Sequence, residues 1–286
     1  MKILNNKYDG LVSVIIPFFN NSKWLDEALE SVYNQTIKPL EIIVINDGSN
    51  ENIDNLKKKY LDTIFVDKSN GGAATARNMG IELARGKYCA FLDSDDLWKE
   101  NKIEKQLRNM IDSGCKWSAS GYEAFGIGKH YQVYPFSKKD MCYDVISGTC
   151  AIQTSTVMIE SNILHIDKKA RFAEDMRNGQ DIYLWLYLAN IYKICVVNEP
   201  LTKFRLRDNS TQFSIDKHIK VRAQLWDKMI NGNLAMPKSN FTRKGYRICK
   251  YLYDKYLQAG KNIRFKEIKF GFAWALFRIG SFFSAI

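Results

Sequence analysis

Over the first third of the chain, short apolar runs alternate with amphipathic stretches, and each run stops at a polar residue. Val12-Ser13-Val14-Ile15-Ile16-Pro17-Phe18 is short and rich in β-branched residues, which predicts a buried strand. The stretch after it carries Trp24, Leu25, Ala28, Leu29 and Val32 on one helical stripe, with Ser22 as the candidate N-cap. Further strands are predicted over 40–45, 63–66 and 87–92, and helices around 52–60 and over 73–84. Such alternation means a parallel sheet with right-handed crossovers. Ligands of these sheets bind beyond the carboxyl ends of the strands, so Asn20, Asp47, Ser69 and Asp93 share one rim.

The pattern then loosens. A helix is predicted over Asn101–Ser113, with Ile103, Leu107, Met110 and Ile111 inward. Lys116–Phe125, Tyr131–Tyr134 and Thr154–Ile159 read as strands, Asp181–Ile191 as an apolar helix, and Ile194–Val197 as a strand. Past Asn209 the period is helical. The expected division is an α/β domain over 1–210 and a helical, basic region over 211–286, without internal repeats.

The rim carries the candidate chemistry. Tyr88-Cys89-Ala90-Phe91-Leu92 runs straight into Asp93-Ser94-Asp95-Asp96. Carboxylates crowded at a buried strand tip repel one another, and a cation relieves them. Oxygen-only ligands suit Mg²⁺ or Mn²⁺, ions that commonly hold phosphates as well. Leu40–Ile45 ends similarly in Asn46-Asp47-Gly48-Ser49. Between the two tips, Gly71-Gly72-Ala73-Ala74 opens a helix that carries Arg77, and small residues there let a ligand approach the backbone. Together these features predict a nucleoside-diphosphate site. Simpler roles stay open: Asp47 as a turn residue, Asp95 or Asp96 as a helix cap, Arg77 as a solvated side chain.

Composition narrows the class. The 286 residues are 46% apolar, enough for a large core, and the net charge is +11. From Phe241 onward ten basic residues face two acidic ones, which points to an anionic surface. The mostly apolar stretch from Phe270, interrupted by Arg278, is marginal for spanning a bilayer and suits an interfacial anchor better. Cysteines 89, 115, 142, 150, 195 and 249 form no C-x-x-C pair, which argues against a zinc site or a disulfide framework and fits a reducing cytosol. The start turns polar too soon for a signal peptide. An acidic rim argues against nucleic acid as a partner.

In order and spacing, Val14–Asn20, Val44–Ser49, Gly72–Gly80 with Ala76-Arg77-Asn78, and Phe91–Asp96 resemble the family-2 glycosyltransferases, across roughly residues 10–210. The resemblance implies a GT-A fold: a Rossmann-like, mostly parallel central sheet flanked by helices, here with a helical C-terminal appendage. It implies a nucleoside-diphosphate sugar donor, a UDP-sugar being favoured, Mn²⁺ or Mg²⁺ as cofactor, and inversion at the anomeric carbon. Asp95 is then the metal ligand, and Asp93 or its neighbour contacts the ribose or stands behind the metal's own ligands. Asp47 contacts the nucleobase, Pro17, Phe18 and Asn20 wall its pocket, and Arg77 contacts the diphosphate or sugar.

Asn178-Gly179-Gln180-Asp181 resembles the family's base segment, where Glu-Asp is usual. Gln180 replaces the first acid and leaves Asp181 as the candidate base, a residue that could also be an N-cap. Phe204-Arg205-Leu206-Arg207 departs from the family's Arg-x-His. Arg205 and Arg207 are candidate phosphate contacts, or plain surface residues. The implied acceptor is a glycan or a polyprenyl-diphosphate-linked saccharide in the assembly of O-antigen, capsule or lipooligosaccharide, by a hexosyl- or N-acetylhexosaminyltransferase. The implied location is cytoplasmic, peripheral at the inner face of the cell membrane. A nucleotidyltransferase is the alternative, but it would typically carry a Gly- and basic-rich phosphate loop where Phe18-Phe19-Asn20-Asn21-Ser22 stands.

Overall fold

The computed structural model describes residues 8–127, 130–133, 146, 152–207 and 215–258. The sequence readings at Tyr134, Cys142, Cys150 and the stretch 259–286, with its apolar end, lie outside the described residues.

Strands β1 (Val12–Phe18), β2 (Glu41–Asp47), β3 (Thr63–Lys68) and β4 (Tyr88–Phe91) lie in the order β3-β2-β1-β4, all parallel. Helices α1 (Ser22–Tyr33), α2 (Asp54–Lys59) and α3 (Ala73–Leu83) make the crossovers. Side chains alternate across a strand, and the apolar residues divide accordingly. Val14, Ile16, Val44 and Ala90 enter one core with α1. Ile15, Ile43, Ile45, Cys89 and Phe91 enter the other with α3. With both faces buried, the strands read as continuous apolar runs. A Cβ at Gly80 would collide with Ile15, so α3 lies close on β1.

Beyond β4 the sheet is mixed and continues as β8-β6-β9-β5. Its strands are β5 (Leu97–Trp98), β6 (Trp117–Gly126), β8 (Val157–Glu160) and β9 (Ile194–Leu206), while β7 (Tyr131–Val133) pairs with β6. β8 is antiparallel to both β4 and β6, β6 and β9 are parallel, and β5 is antiparallel to β9. Helix α4 (Lys102–Ser113) buries Ile103, Leu107 and Met110, but Ile111 is exposed. Helices α5 (Ser161–Ile166) and α6 (Gln180–Ile191) share the core that α3 covers.

Helices α7 (Ile215–Ile230) and α8 (Asn240–Gln258) follow. Val221, Leu225 and Met229 of α7 and Tyr246 of α8 share the core containing Trp185 of α6. A Cβ at Gly179 would strike Val221. Among the described residues no helix is long and apolar enough to cross a membrane.

Three local expectations are corrected. The N-cap of α1 is Asn21, in the left-handed region with φ 70°, and its side chain accepts from Trp24 N–H. Thr154–Thr156 is a 3₁₀ turn, not strand, closed by Thr156 N–H on Gln153 C=O. Cys115 and Cys195 are disulfide-bonded with Cα atoms 6.0 Å apart, a pairing the scattered spacing did not suggest.

Candidate active site

The acidic stretch is a bridge between two parts of the sheet. After β4 the chain turns, with Asp96 N–H on Asp93 C=O, and re-enters as β5, where Leu97 pairs with Lys203 and Trp98 with Thr202. This hangs Asp93, Asp95 and Asp96 against the end of β9, beside Arg205 and Arg207. One oxygen from each of the three carboxylates lies within 4.8 Å of the others.

The three acids differ in freedom. Asp96 is buried and held by the protein on both oxygens: the Ser155 hydroxyl donates to Oδ2 at 2.6 Å and Arg205 N–H to Oδ1 at 2.9 Å. Burial, then the charges of Asp95 and Asp93, push its carboxyl well above the usual range. Asp95 is pushed up for the same reasons, burial first and Asp93 second, with Arg207 opposing. Arg207 pairs with Asp95 Oδ2 at 2.8 Å. A crowded, all-oxygen cluster in which the anions of Asp95 and Asp96 are disfavoured fits a hard divalent cation. Asp95 and Asp93 would hold it, with Asp96 behind them.

Arg77 is buried at the rim. It pairs with Asp93 Oδ1 at 2.5 Å and its guanidinium lies 5.2 Å from the Phe172 ring centre. Among the described residues its Nε is buried without a partner, a donor left over in the site. Next to it, Asn78 clasps the segment that leads to α6. Its Nδ2 donates to Phe172 C=O and Glu174 Oε1, and its Oδ1 accepts from Phe172 N–H, all at 2.8–3.0 Å.

Asp181 stands in the first turn of α6. Oδ1 accepts from Ile182 N–H at 2.9 Å and Oδ2 from the Thr154 hydroxyl at 3.0 Å. Burial pushes its carboxyl up. Arg77's charge and the two hydrogen bonds oppose that, and Asp93's charge adds to it. The cap position of α6 belongs to Gly179, so the N-cap role does not claim Asp181. Gln180 donates instead to Arg177 C=O.

Asp47 is buried at the tip of β2 and organises the loop that leads into α3. Oδ1 takes Lys68 Nζ at 2.5 Å and Gly71 N–H at 2.9 Å, and Oδ2 takes Gly72 N–H at 2.7 Å. Asn20 is exposed and accepts from the Ser49 hydroxyl at 3.0 Å. Pro17 is buried, and Phe18 lies in the core with Val14 and Ile16, turned away from the rim. The exposed ring is Phe19, at 49%. Period-two counting from Val14 could have found this.

Residues that no motif announced hold the site together. Thr154 and Ser155, adjacent on the 3₁₀ turn, reach Asp181 and the acidic stretch respectively, and Ser155 Oγ also accepts from Asp93 N–H at 3.0 Å. The Ser155 carbonyl takes Trp98 Nε1 at 2.8 Å and the Thr202 hydroxyl at 3.1 Å. Trp24 lies against both arginines, with guanidinium to ring-centre distances of 5.3 Å for Arg205 and 5.6 Å for Arg207.

Known proteins similar to this one agree in kind. It is 38% identical over 210 residues to an uncharacterized glycosyltransferase of Rickettsia bellii, covering 72% of this chain but 30% of that one. A second relative, from Rickettsia felis, is likewise spanned over only 35% of its length. Identity is 32% over 209 residues with the putative teichuronic acid biosynthesis glycosyltransferase TuaG of Bacillus subtilis, covering 70% of this chain and 81% of TuaG. With WfgD of Escherichia coli, a UDP-Glc:alpha-D-GlcNAc-diphosphoundecaprenol beta-1,3-glucosyltransferase, it is 28% over 222 residues, covering 77% and 85%. Among solved structures, S. aureus TarS in complex with UDP aligns with a TM-score of 0.64 at 16% identity, over 90% of this chain and 76% of that one. The mannosyltransferase PcManGT from Pyrobaculum calidifontis, in complex with GDP-Man and Mn²⁺, aligns at 0.59 and 15% identity, over 98% and 82%. The structural likenesses bear on the fold, a mixed α/β GT-A type. Residues 13–160 match the model of glycosyl transferase family 2, and the chain belongs to that family.

Proposed function

We propose that the chain is a metal-dependent, inverting glycosyltransferase that moves a sugar from a nucleoside-diphosphate sugar to a hydroxyl of a glycan or lipid-linked saccharide. The observation that carries this reading is the pair Thr154–Ser155. One hydroxyl binds Asp181 and the next binds Asp96, so a candidate base and a charge-handling cluster share one turn.

Asp181 removes the acceptor's proton at a carboxylate oxygen, and the acceptor oxygen attacks the anomeric carbon. Burial raises its affinity for protons, which makes it a stronger base than a free carboxylate. Arg77 and Arg205 supply fixed positive charge for the leaving diphosphate, and Arg207 adds a third cation beside them. Asp95 and Asp93 would hold Mn²⁺ or Mg²⁺, which when bound neutralises charge on the departing phosphate. Asp47 keeps the Gly71-Gly72 turn open to the donor, Asn20 belongs to the wall of the nucleobase pocket, and the buried Pro17 and Phe18 support that wall from the core. A UDP-sugar is the preferred donor, in keeping with UDP in the TarS complex.

The acceptor reading leans on WfgD, whose name specifies a diphosphoundecaprenol substrate. A lipid-linked acceptor calls for contact with the inner membrane face, and α8 offers a surface for it. Phe241, Lys244, Arg247, Tyr251 and Lys255 are all exposed, and their spacing puts them along one side of the helix.

The test is transfer from a panel of nucleotide sugars to short polyprenyl-diphosphate saccharides with Mn²⁺. Asp181→Asn should lower kcat by about 10²–10⁴ with donor affinity near that of the parent. A variant that loses donor binding and keeps its kcat refutes the role given to Asp181.

A further inference from the structure

Two arginines project from the end of β9 two residues apart, and only one of them is fastened. Arg205, with a side chain 13% exposed, donates to Glu27 Oε2 at 2.5 Å and to Asp95 C=O at 2.7 Å, between the Trp24 and Phe125 rings. The Arg207 side chain is 51% exposed. Among the described residues it has the ion pair with Asp95 Oδ2 at 2.8 Å and the Trp24 ring at 5.6 Å.

Asp95 is also the carboxylate that the reading above gives to the divalent ion, and the inference rests on that reading. A guanidinium and a metal compete for the same oxygen lone pairs, and the two cations repel. Arginine keeps its proton at any working pH, so the conflict is relieved only by movement. Arg205 cannot move without giving up Glu27. Arg207 can, and a diphosphate beside the metal offers its fork a bidentate partner.

We propose that Arg207 is an exchangeable counter-ion. It neutralises Asp95 while the metal is absent, yields that carboxylate to the metal, and transfers its charge to the donor diphosphate. The consequence is coupling: metal binds weakly alone and strongly with nucleotide, and nucleotide binding is strengthened by metal to the same degree.

The experiment is Mn²⁺ titration of the full chain, read as loss of the free-ion electron paramagnetic resonance signal, with and without UDP. It compares the parent with Arg207→Gln, Arg207→Lys and Asp95→Asn. Without UDP, Arg207→Gln should bind Mn²⁺ about ten-fold more tightly, a figure scaled down for the half-exposed pair. Arg207→Lys should fall between Arg207→Gln and the parent. The tightening of Mn²⁺ by UDP should shrink in Arg207→Gln. Equal or weaker Mn²⁺ binding by Arg207→Gln without UDP, beside an Asp95→Asn that loses the ion, overturns the inference alone. An Asp95→Asn protein that binds Mn²⁺ like the parent overturns the metal assignment itself, and the inference with it.

Discussion

Replacing Thr154 with valine removes one hydroxyl and almost no volume. Thr154 is 5% exposed, so the methyl that takes the hydroxyl's place meets protein. What is lost is the 3.0 Å hydrogen bond to Asp181 Oδ2. That bond favours the ionised carboxylate, as do Arg77 and Ile182 N–H, against burial and the charge of Asp93. Hydrogen bonds to charged groups contribute about 1.5–3 kcal/mol. Removing this one therefore pushes the carboxyl further up, and the acid limb of the kcat/KM profile moves to higher pH. On that limb, kcat/KM should fall by about ten- to a hundred-fold, since 1.36 kcal/mol is one decade. Above the limb the loss should be small, because the base is ionised in both proteins.

Stability follows with a definite sign. A raised folded pKa means that Asp181 favours the fold below its ordinary value of 3.8, and that this contribution is lost as pH rises through the folded pKa. Thr154→Val widens that loss, so the variant should melt lower than the parent at neutral pH and match it more closely in acid. Thr154→Ser keeps the donor and should restore the profile. The assay is the pH dependence of kcat/KM in the parent and in an Asp181→Asn background. A uniform loss at every pH with the limb unmoved, or a Thr154→Val effect that survives undiminished in Asp181→Asn, would refute the argument that Thr154 acts through Asp181.

Two other outcomes are expected. Asp95→Asn removes one charge from a cluster disfavoured by burial and by Asp93, so without metal its melting temperature should equal or exceed the parent's at neutral pH, while the Mn²⁺-induced thermal shift disappears. An undiminished Mn²⁺ shift would show that Asp95 does not hold the ion. On α8, changing Lys244, Arg247 and Lys255 to Gln should weaken flotation with anionic vesicles about a hundred-fold, at about 1 kcal/mol per basic residue, and make what remains less sensitive to salt. Phe241→Ser with Tyr251→Ser should instead leave weaker but salt-sensitive binding, and parent-like flotation of both variants would remove α8 from the membrane reading.

The parallel half of the sheet was legible because its physics is local. Strands buried on both faces must be apolar throughout, so β1, β2 and β4 announce themselves, and their tips follow. Asp47, Asp93 and Asp95 share one rim for that reason, and Arg77 reaches it from α3 to pair with Asp93. What the tips touch was not legible, because the partners come from distant segments. Ser22 looked like a cap, yet Glu51 takes the Asn21 and Ser22 N–H groups and Asn21 does the capping. The stretch from Thr154 looked like a strand, yet its first three residues coil to serve Asp181 and Asp96.

Arg205 and Arg207 show the same limit most sharply. They have the same chemistry and lie two residues apart at the end of β9, and nothing in Phe204-Arg205-Leu206-Arg207 distinguishes them. Glu27, on a helix 178 residues upstream, fastens the first, and its reach leaves the second to Asp95. The residue types of the site are thus written at strand tips, where burial dictates them. Their freedom to move is decided by side chains that share no motif with them.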